Sequence, residues 1–384
     1  MIIDEEYLQW ATPREREVIQ AINSTGGYRK AAKKLGIGQG RVSDAVKRTR
    51  KRAAAAGYSP DHDMTRTVPE GFHVKGTSTL YKDGKPQLQW VKSGKDNVER
   101  TIEALKEAVQ DTLDCSARAE PANPPENVDK DILCCYPIAD AHLGMYAWGE
   151  ETGQDWDVDI STMSILSSVR NLVESAPPAE TAIIENLGDF LHTDSIENKT
   201  MRSGHQLDVD TRWARVYRKA ARVYREIVEM ALTKHKNVIL KAVPGNHDDH
   251  ASFTLAMLMQ AYFENEPRVT VDLPINHFCY HRFGSVLIGM THGEIKPDKL
   301  PLIMATDERE AWGETEHHVF HSGHVHHQRV FEFPGCTVES FRSPSAKDNW
   351  THSKGYRSNR DMVMIKYHRE RGEIGRVVEY INPH

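Results

Sequence analysis

Five short apolar runs, each followed within a few residues by Asp, Asn or His, constrain the fold of this 384-residue chain more than any other feature. Ile132-Leu133-Cys134-Cys135-Tyr136 leads to Asp140, Ala182-Ile183-Ile184 to Asp189, and Val238-Ile239-Leu240 to Asn246. Val286-Leu287-Ile288 leads to His292, and Val319-Phe320 to His324. Runs this short and apolar read as buried strands, and the helical segments between them point to an α/β fold over residues 132–384. Sites in such folds form beyond the carboxyl ends of the strands, so five strands that each deliver a ligand-type side chain imply one shared site.

The distribution of charge and histidine divides the chain. Between residues 12 and 57 there are twelve basic residues against three acidic, an excess of nine, which leaves −15 for the remainder given a net charge of −6. A basic end joined to an acidic body is expected when a nucleic-acid-binding module is attached to a separate catalytic or binding domain. Of the twenty histidines only His62 and His73 precede residue 132, so metal or acid/base chemistry belongs to the body. The five cysteines are odd in number and form no C-x-x-C pair, which argues against a disulfide framework and a thiolate zinc site. No apolar run is long enough to span a membrane, and the amino terminus lacks the pattern of a signal peptide, so a cytoplasmic protein with no membrane partner is expected.

The basic end reads as three helices. Thr12 caps the first, with Pro13 in its first turn, and Gly26-Gly27 ends it; Tyr28 to Leu35 is the second, stopped by Gly36; the third starts near Gln39. Ala31-Ala32-Lys33-Lys34-Leu35-Gly36-Ile37 followed by Val42-Ser43 resembles the helix-turn-helix family. That resemblance implies a small all-α DNA-binding domain over residues 1–57, with Arg41, Lys47, Arg48, Arg50, Lys51 and Arg52 facing DNA. The other reading of the same residues is a three-helix packing unit with a solvated basic face. Residues 68–115 read as a β-hairpin turning at Lys82-Asp83-Gly84-Lys85 and an amphipathic helix carrying Val98, Ile102, Leu105 and Val109. Residues 116–131, with Pro121, Pro124 and Pro125, read as a tether between the arm and the body.

Singly, the motifs of the body are weak; in order they are strong. Asp140-Ala141-His142, Gly188-Asp189-Phe190-Leu191-His192, Gly245-Asn246-His247-Asp248, Thr291-His292-Gly293 and Gly323-His324-Val325-His326 resemble the signature of the calcineurin-like metallophosphoesterases. The resemblance implies a four-layer α/β sandwich binding two divalent ions. Asp140, His142 and His326 would hold one, Asn246, His292 and His324 the other, and Asp189 would bridge them. Mixed oxygen and nitrogen donors without thiolate suit first-row ions: Mn2+ is expected, and Fe, Zn or Ni would satisfy the same ligands. Such a pair lowers the pKa of a bridging water and clamps a phosphoryl group for in-line displacement. His247, by the same resemblance, is the acid candidate over the leaving oxygen.

The second motif lacks the D-R-G of protein phosphatases, and its G-D-x-x-H form resembles the nuclease branch, including SbcD-type exonucleases. There His192 would be a second histidine at the scissile phosphate, with a residue satisfied by its neighbours at a helix start as the alternative. A basic helix face with Arg212, Arg215 and Arg222 among its cations, and a polar stretch holding Arg342, Ser343, Ser345, Lys347, Trp350 and Arg357, are further expected contacts for a phosphate backbone. The expected function is therefore a metal-dependent DNA nuclease. Its rivals are a phosphatase or phosphodiesterase for small esters and a DNA-bound regulator with structural metals. The pairing of modules resembles one carried by bacteriophage or prophage proteins, which implies a host cytoplasm, and a homodimer or higher oligomer is left open.

Overall fold

The computed structural model describes residues 3–68, 72–83, 85–95, 119–194, 196–200, 204 and 206–381. The chain divides into two compact units, Met1–Ile102 and Glu103–His384. The amphipathic helix expected over Val98 to Val109 lies outside the described residues.

In the first unit, helices α1 (Pro13–Thr25), α2 (Tyr28–Leu35) and α3 (Gln39–Ala55) pack Val18, Ile19, Ile22, Ala31, Val42 and Val46 into one small core. Gly36 ends α2 with a left-handed backbone (φ 65°) that lets the chain turn directly into α3. A 3-10 turn over Glu5–Trp10 stacks Trp10 on Tyr58 at 5.1 Å. Strands β1 (Phe72–Lys82) and β2 (Lys85–Lys95) form an antiparallel hairpin.

Glu15 ties this unit together. Its carboxylate accepts from the Thr12 amide (3.0 Å) and hydroxyl (2.9 Å), closing a capping box, and also from Arg48 (3.2 Å) and Arg52 on α3. Two of the cations expected to face DNA therefore also brace α1 against α3. Arg50 lies 3.6 Å from Asp61 and over the Tyr7 ring, whereas Arg41, Lys47 and Lys51 are exposed with no carboxylate partner among the described residues.

The second unit has four layers. A six-stranded sheet runs β13-β12-β3-β4-β5-β6, made of Gly372–Tyr380, Asp361–His368, Asp129–Ile138, Ala179–Asn186, Asn237–Ala242 and Val269–Val271. Its last four strands are parallel to one another. A five-stranded sheet runs β10-β11-β9-β8-β7, made of Arg329–Phe333, Cys336–Ser340, His317–Ser322, Val286–Met290 and Cys279–Phe283.

Alternation explains why strands that look uniformly apolar fit this stack. Ile132, Cys134 and Tyr136 of β3 face the core under helices α4 (Val158–Ser175), α5 (Trp213–Leu232) and α6 (Ala251–Tyr262), while Leu133 and Cys135 face the core between the sheets. On β8, Val286 and Ile288 join the core between the sheets. Leu287 turns the other way, onto Leu300 and Met304 of α7 (Leu300–Asp307). Both faces of each sheet are thus covered, as parallel strands require.

A fully buried polar contact crosses the core between the sheets. Glu185 of β4 meets His321 Nδ1 of β9 at 2.6 Å, and His321 Nε2 meets the Tyr367 hydroxyl of β12 at 2.9 Å, with Glu185 and His321 fully buried. From Ala119 onward the segment expected as a tether belongs to the second unit: the Ala119 amide donates to the Tyr262 carbonyl (3.0 Å) and the Ala122 amide to Glu266 (2.9 Å). Among the described residues no helix is long and apolar enough to cross a membrane.

The clamp on Glu15 gives the first unit a pH dependence. Burial pushes its carboxyl up, but the Thr12 donors and the Arg48 and Arg52 guanidiniums outweigh burial and hold it at about 2, below its ordinary 4.5. A depressed acid stabilises fully above its unfolded value and loses that contribution as pH falls through the folded one. Glu15→Gln is expected to cost about 1 kcal/mol of protection for amides 18–22 at pH 6. The gap from the unaltered chain should close as pH falls toward 2, as read by native-state hydrogen exchange.

Candidate metal centre

The site sits where the parallel strands of both sheets end. Asp140 and His142 follow β3, Asp189 follows β4, Asn246 follows β5, His292 follows β8, and His324 and His326 follow β9. To aim these side chains, the backbone departs from ordinary conformations. Eight described non-glycine residues have positive φ, and five of them, Asp140, His142, Asp189, His324 and His326, belong to this set. Each such residue costs on the order of 1–3 kcal/mol and persists only where the surroundings enforce it. The enforcement here is visible in the glycines. A Cβ on Gly245 would lie 2.0 Å from Asp189 Oδ1, and one on Gly188 would meet the His292 ring at 2.7 Å.

Two clusters of donor atoms result. In one, His326 Nε2 lies 3.0 Å from His142 Nε2 and 3.4 Å from Asp140 Oδ1. In the other, His292 Nδ1 donates to the Leu187 carbonyl (2.9 Å), which leaves Nε2 free to face the site. That Nε2 lies 3.0 Å from Asn246 Oδ1, 3.1 Å from His324 Nδ1 and 3.2 Å from Asp189 Oδ2. The groups Asp140/His142/His326 and Asp189/His292/His324 each bring their donor atoms within 4.8 Å of one another, a spacing that can hold a metal ion. Asp140 Oδ1 is buried and accepts no hydrogen bond, although Oδ2 accepts from the His324 amide (2.7 Å). An orphaned carboxylate oxygen beside converging imidazole nitrogens, with no thiolate nearby, is the donor set of a borderline divalent cation.

The bare side chains perturb one another strongly. Burial pushes the Asp189 carboxyl up, but His292 more than reverses this and holds it far below the usual carboxylate range. Burial lowers His292, and Asp189 overrides it, raising the imidazole to about 10. His142 is driven down by burial and by its neighbours His247 and His326.

His247 and His192 flank the donors. The His247 amide donates to Asp189 Oδ1 (2.8 Å) and its Nδ1 to the His192 carbonyl (2.8 Å), so Nε2 is the ring atom left over. His192 is 2% exposed and lies behind His142, with the two Nδ1 atoms 3.4 Å apart. In that place it can fix the tautomer of His142 so that Nε2 faces the site.

Of the other expected contacts, Arg215 and Arg222 are engaged with Asp159 (3.5 Å) and Glu226 (3.3 Å), and Arg212 stands exposed at the amino end of α5. Arg342 pairs with Asp361, and Ser343 and Ser345 are buried, with the Ser343 hydroxyl donating to the Asp140 carbonyl (2.7 Å). Lys347, Trp350 and Arg357 reach the surface.

Asp248 has a part that its place in the sequence did not announce. Fully buried, it accepts from the amides of Asp189 (3.0 Å), Gly245 (3.2 Å) and Leu191 (3.1 Å), locking the loops after β4 and β5 together. The signal was its adjacency to Asn246-His247 with no ligand duty of its own.

The chain matches no protein-family model and no curated protein. Among solved structures it is similar to an archaeal phosphodiesterase (15% identity, 64% of this chain and 99% of that one, TM-score 0.33). It is also similar to the phosphoesterase YfcE of E. coli (17%, 65% and 100%, 0.30) and to zinc-bound Vps29 of Entamoeba histolytica (11%, 65% and 99%, 0.29). Likenesses of this degree do not set the family of the chain.

Removing the Asp248 carboxylate strands three buried amide donors, each worth about 1 kcal/mol or more. Asp248→Ala is therefore expected to destabilise the second unit by about 3 kcal/mol, measured as a lower urea midpoint for that unit's transition.

Proposed function

We propose that the chain is a metal-dependent phosphodiesterase that cleaves DNA, its amino-terminal unit acting as a helix-turn-helix arm. The observation that carries the reading is the convergence of Asp140, His142, Asp189, Asn246, His292, His324 and His326 from five loops at one end of the sandwich. Asp140, His142 and His326 would hold one divalent ion and Asn246, His292 and His324 a second, with Asp189 shared between them. When bound, a pair of divalent ions supplies Lewis acidity that activates water and neutralises phosphate charge; Mn2+ is the proposed ion.

The chain's own residues do the rest. His247 is held by its Nδ1 and presents Nε2, from which a proton can pass to the leaving oxygen. His192 orients His142 from behind, and Asp248 keeps the loops bearing Asp189 and His247 in fixed relation. DNA as the substrate is supported by the basic surplus of residues 12–57 and by the exposed cations Arg41, Lys47 and Lys51 on α3.

With Mn2+ added, the full chain should hydrolyse an aryl phosphodiester and end-labelled DNA in preference to an aryl phosphomonoester. Asp189→Asn and His247→Ala should each lower kcat by about 10²-fold or more with the fold retained. Preference for the monoester with DNA left intact, or full turnover in Asp189→Asn, overturns the reading.

The arm makes a separate prediction. Each cation that meets a phosphate contributes about 0.9 to the slope of log affinity against log salt. The triple change Arg41→Ala, Lys47→Ala, Lys51→Ala should reduce that slope by roughly 2–3 in fluorescence-anisotropy titrations of duplex DNA.

A further inference from the structure

The segment from Ser343 to Arg360 borders the centre and brings aromatic and cationic groups to the surface together. The Tyr356 ring lies 6.3 Å from the ring of His326, and Trp350 lies 6.1 Å beyond Tyr356, tilted by 37°. An aromatic path therefore leads outward from a donor of the centre to an indole that is 43% exposed.

The path is anchored from below. Asp348 caps the short helix α8 (Asn349–Ser353) that carries Trp350, and the Arg360 guanidinium stacks over the buried Trp156 ring at 4.8 Å. Arg357, exposed, donates to the carbonyls of Tyr356 (2.7 Å) and His352 (3.2 Å), which holds it beside the aromatic pair. Burial pushes the Lys347 ammonium down, and the charges of Arg357 and Arg360 add to this, so the three cations gather in one place. Neither Lys347 nor Arg357 has a carboxylate partner among the described residues. The like charges of Lys347 and Arg357 favour an anion, and an aromatic pair beside them favours a flat π-surface. A nucleotide carries both.

We propose that Trp350 and Tyr356 form a base-stacking platform next to the centre, with Lys347 and Arg357 receiving the adjoining phosphate. The platform rests on the phosphodiesterase reading and adds to it a substrate class: an unstacked nucleotide, at a strand end or in single-stranded DNA, rather than a small ester without a base. Bases within a duplex have no free face, so the nucleotide beside the scissile bond must leave the stack to reach these rings. Stacking on an aromatic ring tolerates any base, so recognition here is by the presence of a base and not by its identity.

The test is calorimetric binding of the dinucleotide pdTpdT, and of its analogue lacking both bases, to the full chain in EDTA. A dinucleotide is too short to span the arm's basic helix, so the measurement reports the body. The unaltered chain should bind pdTpdT at least about tenfold more tightly than the base-free analogue. Trp350→Ala and Tyr356→Ala should each erase most of that gap, and Trp350→Phe should retain most of it. Lys347→Ala combined with Arg357→Ala should weaken both ligands alike. Equal binding of the two ligands by the unaltered chain, or a gap that survives both alanine changes, overturns the platform. Hydrolysis of the aryl diester with Mn2+ separates this from the parent reading: activity without a gap rejects the platform alone, and a gap without activity rejects the phosphodiesterase.

Discussion

The buried contact from Glu185 through His321 to Tyr367 governs how the two sheets of the body meet. Apolar packing between the sheets is non-directional and would tolerate a slide of one residue, which on a strand reverses every side chain. A carboxylate and two ring partners in a dry core do not tolerate it, because each displaced group would be stranded without a partner. Their position along the strands matters as much as their chemistry. Glu185 lies just before the turn to Asp189, and His321 just before the turn to His324, so the contact fixes the relative height of two ligand loops from opposite sheets. Buried ion pairs contribute little net stability, and their use in fixing one arrangement over its neighbours suits this location.

The loops beyond that contact are strained, and the strain has a consistent sense. Left-handed backbone at Asp140, His142, Asp189, His324 and His326 turns side chains inward that an extended strand would have sent to alternate sides. Compensation comes from the bonds of Asp248 to three loop amides and from the Ser343 hydroxyl on the Asp140 carbonyl. The stability of the fold is drawn on to hold donors close together before anything binds, which is the condition for tight and geometrically selective cation binding.

Much of this was legible in the sequence because the signals were local. Five apolar runs became the parallel strands β3, β4, β5, β8 and β9, and the spacing of Val216, Ala220, Val223 and Ile227 gave the buried face of α5. What stayed hidden depended on partners distant in sequence. The antiparallel edge β12-β13 is set by pairing with β3, more than two hundred residues earlier, and no pattern within 361–380 names that neighbour. The basic face of α5 is opposed from another helix by Asp159, which engages Arg215 and Lys219, as well as by Glu226 on its own helix, and only the second pairing is local in sequence. His192 sits in the same motif as Asp189, yet the approach of its ring to His142 depends on a residue fifty positions earlier and cannot be read from the motif.

On the proposed reading, the two units would meet different parts of one DNA ligand. A basic helix surface with exposed Arg41, Lys47 and Lys51 would respond to the charge density of a duplex, which is a property of many phosphates together. The centre's donors converge on one small region, and the rings of Tyr356 and Trp350 beside it would offer contact to a single nucleotide. A duplex presents the first kind of surface everywhere and the second nowhere, since its bases are stacked. If both proposals hold, a chain that carries the two surfaces would be suited to places where duplex and unpaired strand adjoin, because each surface answers to a different form of the same polymer.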